Sequence, residues 1–153
     1  MMRIGIIGPE STGKTTLAKE LAQEFNGICV PEYAREYVEK RGTTEITYEE
    51  LEEIARYQID ELAKQGDGLY FFDTELIVTQ VWFDYAFGRV PEWLNEAIKR
   101  FPMDAYLLTK PDIPCISDPA RSNGSDALRQ ELVDRYEAEI QALDIPYYII
   151  EHI

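Results

Sequence analysis

Residues 8–15 of the chain read Gly-Pro-Glu-Ser-Thr-Gly-Lys-Thr and fit the pattern G-x-x-x-x-G-K-[ST] at every fixed position. A short apolar run at residues 4–7 precedes this motif, and residues 16–25 follow it with apolar side chains at helical spacing. Glycines allow the backbone to close around an anion, and the N–H groups at the start of the next helix bind phosphates. Strand, loop and helix together therefore predict a binding site for a nucleoside triphosphate.

The side chains of this phosphate loop have distinct predicted roles. Lys14 is expected to reach the β- and γ-phosphates, and the hydroxyl of Thr15 is expected to ligate Mg²⁺. ATP and Mg²⁺ are therefore the predicted cofactors. The residues predicted to bind them are Gly8, Glu10, Ser11, Thr12, Gly13, Lys14, Thr15 and Thr16.

The rest of the chain alternates between short apolar segments and helical patterns. Apolar segments lie at residues 27–31, 69–72, 105–108 and 146–150, and helical patterns lie at residues 32–38, 47–65, 75–86, 92–101 and 126–143. A capping-box pattern opens the helix at residue 47. The alternation predicts an α/β fold, a three-layer P-loop NTPase sandwich with a five-stranded parallel sheet and helices on both faces. Without a linker or repeat, residues 1–153 are expected to form a single domain.

Charge and composition narrow the class of partner. The formal net charge is −14, and no cluster of Lys and Arg is present to displace counterions, so neither nucleic acid nor an anionic membrane is an expected partner. No signal peptide and no stretch of ~20 apolar residues is visible. The two cysteines, Cys29 and Cys115, lie far apart, which favours free thiols and a cytoplasmic protein. The aromatic residues suit an interface as well as a pocket, so a homo-oligomer is left open.

Two acidic residues follow predicted strands, and both are candidates for the chemistry. Glu32 comes after the second strand and Asp73 after the third, and ligands of parallel sheets bind at the carboxyl ends of the strands. Asp73 is expected to support the metal ion and Glu32 to accept a proton from the acceptor hydroxyl, with the reverse order left open. The alternative for Asp73 is that it only caps the following helix.

Basic and amide side chains complete the predicted site. A long loop rich in proline, at about residues 110–129, is predicted to act as a lid. Arg121 and Arg129 are expected to close over the transferring phosphoryl group. Arg35, one helical turn after Glu32, is expected to pair with that acid or to hold the acceptor. Gln58 is the single polar residue in an apolar helical stripe, so it either lies at the edge of the stripe or faces a ligand.

Several stretches of the chain resemble the ribosylnicotinamide kinase domain of NadR-type NAD-biosynthesis proteins. They read GPESTGKTT at residues 8–16, PEYAREY at residues 31–37 and FDTELIVTQVW at residues 72–82, and residues 112–129 are similar to that family's lid. The resemblance implies a nucleoside-kinase-like P-loop fold and ATP-dependent phosphorylation of nicotinamide riboside to nicotinamide mononucleotide. It also implies an acceptor pocket lined by Glu32, Arg35, Gln58, Asp73 and Trp82.

The chain departs from that family in two respects. Cys115 stands where the family often has tryptophan, and the adenylyltransferase and DNA-binding portions of the multidomain relatives have no counterpart. An ATP-binding sensor or regulatory module without kinase activity is therefore the alternative. A GTPase is disfavoured because residues 109–112 lack the Asn of N-K-x-D and residues 73–76 lack the Gly of D-x-x-G. An oligomeric AAA-type ATPase is disfavoured because the chain is short for the usual helical subdomain.

Overall fold

The computed structural model of the protein describes residues 1–8, 13–34, 37, 46–110 and 126–150. Its strands are β1 (Met2–Ile7), β2 (Ile28–Val30), β3 (Leu69–Asp73), β4 (Ala105–Thr109) and β5 (Tyr147–Ile150). Its longer helices are α1 (Lys14–Glu24), α2 (Tyr48–Lys64), α3 (Leu76–Phe87), α4 (Glu92–Arg100) and α5 (Asp126–Leu143). In this part of the chain, no helix has both the length and the apolar character needed to cross a bilayer.

The strands form a five-stranded parallel sheet in the order β2-β3-β1-β4-β5. Strand β1 lies at the centre and pairs with β3 on one side and β4 on the other. In this register Ile6 lies opposite Asp73, and Ile7 lies opposite Leu108. The carboxyl ends of β1 and β3 are therefore neighbours, so the phosphate loop begins beside Asp73.

The sheet is buried on both faces because neighbouring residues of a strand point to opposite sides. On one face, Ile6 and Phe71 pack with Ala18 and Ala22 of α1. On the other face, Ile7 belongs to a larger apolar cluster that includes residues from α2, α3, α4 and α5. Helices on both sides of the sheet make three layers, which confirms the P-loop sandwich with a five-stranded parallel sheet predicted from the sequence.

The N-termini of two helices are fixed by side-chain caps. At α2, the Thr47 hydroxyl accepts a hydrogen bond of 3.2 Å from the Glu50 N–H, and the Glu50 carboxylate accepts one of 2.9 Å from the Thr47 N–H. This pair confirms the predicted capping box. Helix α3 has Glu75 as its N-cap, so the interpretation of Asp73 as the cap is wrong. Asp73 instead ends β3, and its carboxylate is available for other contacts.

Candidate active site

Lys14, the first residue of α1, joins the two described ends of the phosphate loop. Its side chain is buried, with 7% of its surface exposed. Its ammonium group donates a hydrogen bond of 2.8 Å to the carbonyl oxygen of Gly8, which directly follows β1. An ammonium group held between the ends of such a loop is suited to bind phosphate oxygens.

Gly8 is required at its position by the close approach of β4. A Cβ atom on Gly8 would lie 2.5 Å from the carbonyl oxygen of Thr109, the last residue of β4. A larger residue would therefore push β1 and β4 apart where the loop starts. At the other end of the loop, Gly13 adopts a left-handed conformation with φ of 83° and leads into α1. Thr16, also predicted to bind ATP, lies in the first turn of α1 with its side chain exposed.

Thr15 and Asp73, the two residues predicted to support a metal ion, are in direct contact. The Thr15 hydroxyl donates a hydrogen bond of 2.6 Å to Oδ2 of Asp73. Asp73 is 1% exposed, and its Oδ1 atom has no hydrogen-bond partner among the described residues. A buried carboxylate oxygen without a donor, next to a hydroxyl group, offers the hard oxygen ligands that Mg²⁺ prefers.

The metal chemistry of this corner depends on few protein ligands. Within the described ranges, no group of three or more His, Cys, Asp or Glu side chains is arranged to hold a metal ion. At phosphate sites Mg²⁺ needs only one or two carboxylates, because phosphate oxygens and water supply the other ligands. Thr15 and Asp73 therefore fit Mg²⁺ that arrives together with a nucleotide.

The residues after Asp73 form a strained and buried turn. Thr74 has φ of 75°, a left-handed conformation that is unusual for a β-branched residue. Its N–H donates a hydrogen bond of 3.0 Å to the Ile6 carbonyl, which extends the contact between β3 and β1. The Thr74 side chain is 6% exposed, and its hydroxyl has no hydrogen-bond partner in the described part of the chain.

Glu75 is an acid that sequence reasoning missed. Its carboxylate accepts a hydrogen bond of 3.0 Å from the Ile77 N–H at the start of α3, and it also accepts one from the Tyr106 hydroxyl. Burial raises the pKa of Glu75 to about 7, against the lowering effect of these hydrogen bonds. Burial, and then the nearby Glu75 carboxylate, raises the pKa of Tyr106. The available signal was its position directly before α3, where a negatively charged side chain is stabilised by the dipole of the helix.

A small cleft lies beside this turn, between the carboxyl ends of β2 and β3 and the helix α2. Its free volume is about 30 Å³, and its walls include Tyr33, Tyr57, Gln58, Thr74 and Glu75. The rings of Tyr33 and Tyr57 are stacked, with centroids 3.7 Å apart and planes inclined by 14°. The cleft therefore combines an aromatic wall with a polar wall next to Asp73.

The amide of Gln58 is held in a fixed orientation within this cleft. Its Oε1 atom accepts a hydrogen bond of 2.7 Å from the Thr79 hydroxyl on α3. This bond directs the Gln58 oxygen to α3 and leaves the Nε2 group as the donor for other partners. Gln58 thus lies in a cleft wall, and its predicted role in holding the acceptor stays a prediction.

The other predicted residues are distributed around the site. Glu32 is half-buried and lies between Pro31 and Tyr33, two residues of the cleft wall. Arg129 lies in α5 and is 9% exposed. Trp82 packs edge-on against Tyr85 with ring centroids 5.5 Å apart and is not part of the described cleft wall. The predicted acceptor role of Trp82 stays a prediction.

Some predicted site residues fall outside the described part of the chain. The lid predicted at about residues 110–129 is described only at Lys110 and from residue 126 onwards. The predicted residues that lie outside the described ranges are Glu10, Ser11 and Thr12 of the phosphate loop, Arg35, Cys115 and Arg121.

The fold and this site together define a class of protein. A parallel sheet with a phosphate loop after its central strand, and a buried acid at the end of the adjacent strand, is the arrangement of P-loop nucleotide-binding proteins. The chain belongs to the AAA domain family, whose model matches residues 3–152.

Both the sequence and the fold of the chain are similar to those of NadR proteins. The chain is 30% identical over 154 residues to the trifunctional NAD biosynthesis/regulator protein NadR of Escherichia coli K12, covering 97% of this chain and 38% of that protein. It is similar to the crystal structure of NadR protein in complex with NR, with a TM-score of 0.76 and 23% identity, and to that of NadR protein in complex with NAD and AMP-PNP, with a TM-score of 0.75 and 25% identity. In both cases the match covers 99% of this chain and 44% of the other.

The fold of the chain also resembles that of a nucleotide kinase. The thymidylate kinase of Ehrlichia chaffeensis superposes with a TM-score of 0.67 at 14% identity, covering 98% of this chain and 86% of that one. The fold is therefore that of nucleoside and nucleotide kinases. The chain spans less than half of the length of the NadR proteins that it matches.

Proposed function

We propose that the protein is an ATP-dependent phosphotransferase that converts nicotinamide riboside to nicotinamide mononucleotide. The observation that carries the proposal is the contact between Thr15 of the phosphate-loop helix and Asp73, immediately beside a cleft with a polar wall. An arrangement in which a phosphate site and a cleft lie together at one edge of the sheet supports transfer from a bound nucleotide to an acceptor. We choose nicotinamide riboside as the acceptor because the chain is similar to NadR, one structure of which is a complex with NR.

The donor side of the reaction rests on the phosphate loop. Lys14 would bind the β- and γ-phosphates of ATP, and the N–H groups at the start of α1 would bind phosphate oxygens. Thr15 and Asp73 would hold Mg²⁺, which neutralises the charge that develops on the phosphates during transfer. The hydrogen bond between these two residues keeps both oxygen ligands oriented before the nucleotide binds.

The acceptor side requires a base and a cation near the transferring group. Because one Asp73 oxygen is already engaged by Thr15, we assign Asp73 to the metal and Glu32 to the proton of the acceptor hydroxyl. Arg129 and Arg121 would neutralise the transferring phosphoryl group, and Arg35 would hold the acceptor. These assignments keep the roles expected from the sequence.

Binding a nucleoside requires the cleft to widen. A free volume of about 30 Å³ holds little more than one water molecule, whereas ligand pockets have several hundred Å³. Tyr57 is 43% exposed, so its ring is the one with space to move away from Tyr33. We infer that the stacked pair separates and that the planar part of the acceptor packs against the exposed ring faces.

A panel of nucleosides tests this function. ATP, Mg²⁺ and each nucleoside in turn are incubated with the protein, and the phosphorylated product is measured. Nicotinamide riboside is expected to give nicotinamide mononucleotide. The rate is expected to fall at least ~100-fold in Lys14→Ala, which removes a cation from the phosphates, and in Asp73→Asn, which weakens the binding of Mg²⁺. Lys19→Ala and Asp60→Asn change exposed residues of the same types and serve as matched controls.

A second function is favoured by the narrowness of the cleft. A protein that binds ATP but has no room for a nucleoside would be a sensor or regulatory module, with a partner that detects the bound nucleotide. In the same panel this module would bind ATP and yield no phosphorylated nucleoside. That outcome would replace the kinase proposal.

A further inference from the structure

We propose that the hydroxyl of Thr74 binds a sugar hydroxyl of the acceptor and sets the preference for a ribose over a deoxyribose. This inference rests on the proposed nucleoside kinase function. Thr74 is in the wall of the cleft, is buried, and carries a hydroxyl without a hydrogen-bond partner among the described residues. A buried hydroxyl without a partner destabilises the protein, and a ligand that supplies the missing hydrogen bond removes that cost.

The backbone conformation of Thr74 supports a functional role. Among the described residues, positive φ at a non-glycine position occurs at Asn26, Thr74 and Asp144. Asn26 and Asp144 follow the ends of α1 and α5, and short side chains of their type tolerate this conformation. Thr74 is β-branched and therefore strained there, and strain of this kind is concentrated at functional sites.

The contacts around Thr74 fix where its hydroxyl lies. The hydrogen bond from its N–H to Ile6 joins it to the central strand, and Glu75 caps α3 immediately after it. The backbone is thus held from both sides, so a small conformational change does not relieve the strain. An asparagine or a glycine would fit this backbone at lower cost, but neither would supply a hydroxyl at this point.

The position of Thr74 within the cleft identifies the part of the ligand that it contacts. Thr74 directly follows Asp73, which contacts the phosphate-loop helix through Thr15, while the aromatic pair Tyr33 and Tyr57 forms another part of the wall. The sugar must lie near the transferring phosphate because one of its hydroxyls receives it. Thr74 therefore faces the sugar, and its hydroxyl can both donate to and accept from a ribose hydroxyl.

The test compares three substrates with variants of one side chain. Nicotinamide riboside and its 2′-deoxy and 3′-deoxy analogues are phosphorylated by the wild-type protein, by Thr74→Val and by Thr74→Ser, and kcat/KM is measured for each pair. Thr74→Val keeps the branched shape and removes the hydroxyl, whereas Thr74→Ser keeps the hydroxyl. Both variants are checked for folding by their thermal midpoint, and Thr74→Ala replaces Thr74→Val if the latter does not fold.

The expected result is a selective loss. The wild-type protein should prefer the riboside to one of the analogues by about tenfold, as expected for one hydrogen bond. In Thr74→Val, kcat/KM should fall about tenfold for the riboside and stay unchanged for that analogue, so that the preference disappears. Thr74→Ser should retain the preference. The KM for ATP should be unchanged in both variants. Thr47→Val, the same change at a threonine that caps α2 and is not part of the cleft wall, should leave the ratio between these two substrates as in the wild type.

Two outcomes would overturn the inference, and they differ. If the wild-type protein shows no preference for the riboside over either analogue, or if Thr74→Val keeps the wild-type preference, Thr74 does not set the choice of sugar and the kinase function stands. If the wild-type protein neither binds nor phosphorylates any of the three nucleosides, the proposed function is wrong and this inference is overturned with it.

Discussion

Asp73 shows how a single residue at the end of a strand can be held ready for chemistry. Its carboxylate is buried, and burial of an ionised group is costly unless hydrogen bonds or opposite charges compensate. One oxygen accepts the hydrogen bond from Thr15, and the other has no donor in the described part of the chain. Oδ2 is therefore oriented by the protein, and Oδ1 is available to a cation or to a substrate proton.

Glu75 makes the stability of the protein depend on pH. Its pKa in the folded protein is about 7, whereas its ordinary value is 4.5. Below about pH 4.5 both states of the chain are protonated at this residue, so it adds no difference between them. As the pH rises to about 7, the unfolded chain loses this proton while the folded protein retains it, and the free energy of unfolding therefore falls.

Unfolding measurements at several pH values test this prediction. Between pH 4 and pH 8, the free energy of unfolding of the wild type is expected to fall by about 3 kcal/mol relative to that of Glu75→Gln, because each unit of pKa difference corresponds to about 1.4 kcal/mol. Glu20→Gln, which removes an exposed carboxylate of α1, is the control and should follow the wild type. A Glu75→Gln curve that runs parallel to the wild-type curve would show that Glu75 is not held protonated.

Helix ends provide the clearest test at the scale of the elements. Helix α3 ends at Phe87, and its C-cap is Gly88, whose φ is 69° and whose N–H donates a hydrogen bond of 2.9 Å to the Asp84 carbonyl. Residues with a Cβ atom are strained in this left-handed conformation. Gly66, in the turn before β3, has equally open space around it and no such backbone conformation.

These two glycines form a matched pair. Gly88→Ala is expected to lower the free energy of unfolding by about 1 kcal/mol, through backbone strain alone, since an added Cβ meets no atom within 4 Å. Gly66→Ala is expected to leave it unchanged or to raise it by up to about 1 kcal/mol, because alanine restricts the unfolded chain. Denaturant unfolding of both variants measures the difference. Equal effects in the two variants would mean that the left-handed conformation at Gly88 carries no strain.

The elements themselves could be predicted from local patterns because each pattern reflects a local physical cause. Apolar runs gave the strands, the capping box gave the start of α2, and the predicted helix at residues 126–143 agrees with α5. Helix α1 begins at Lys14 rather than at residue 16. The reason is that Gly13 already turns the chain into the helix, so the lysine of the loop belongs to the first turn.

At the scale of the whole molecule, the site divides into a part that the sequence predicts and a part that it does not. Thr15 and Asp73 could be paired in advance, because the phosphate loop and the end of a neighbouring strand must meet in a parallel sheet. Thr74, Glu75 and the stacked tyrosines could not, because their surroundings depend on contacts between distant elements. Glu75, for example, owes its shifted pKa to burial and also contacts Tyr106 of β4.

The overall charge gives the site a further requirement. With a net charge of −14, the field of the whole protein repels a nucleotide rather than attracting it. Binding of ATP must therefore depend on short-range features, namely the Lys14 ammonium group and the N–H groups at the start of α1. Once ATP is bound at this site, transfer of its phosphate should in turn depend on the presence of an acceptor.

The dependence of ATP turnover on the acceptor tests this account most directly. ADP and nicotinamide mononucleotide are measured together, with Mg²⁺ and ATP, in the presence and absence of nicotinamide riboside. We predict that ADP forms mole for mole with nicotinamide mononucleotide. Without the riboside, the rate of ADP formation should be at least ~100-fold lower, because the phosphoryl group lacks a positioned acceptor. ADP formation at the same rate with and without the riboside, and no phosphorylated riboside, would contradict it.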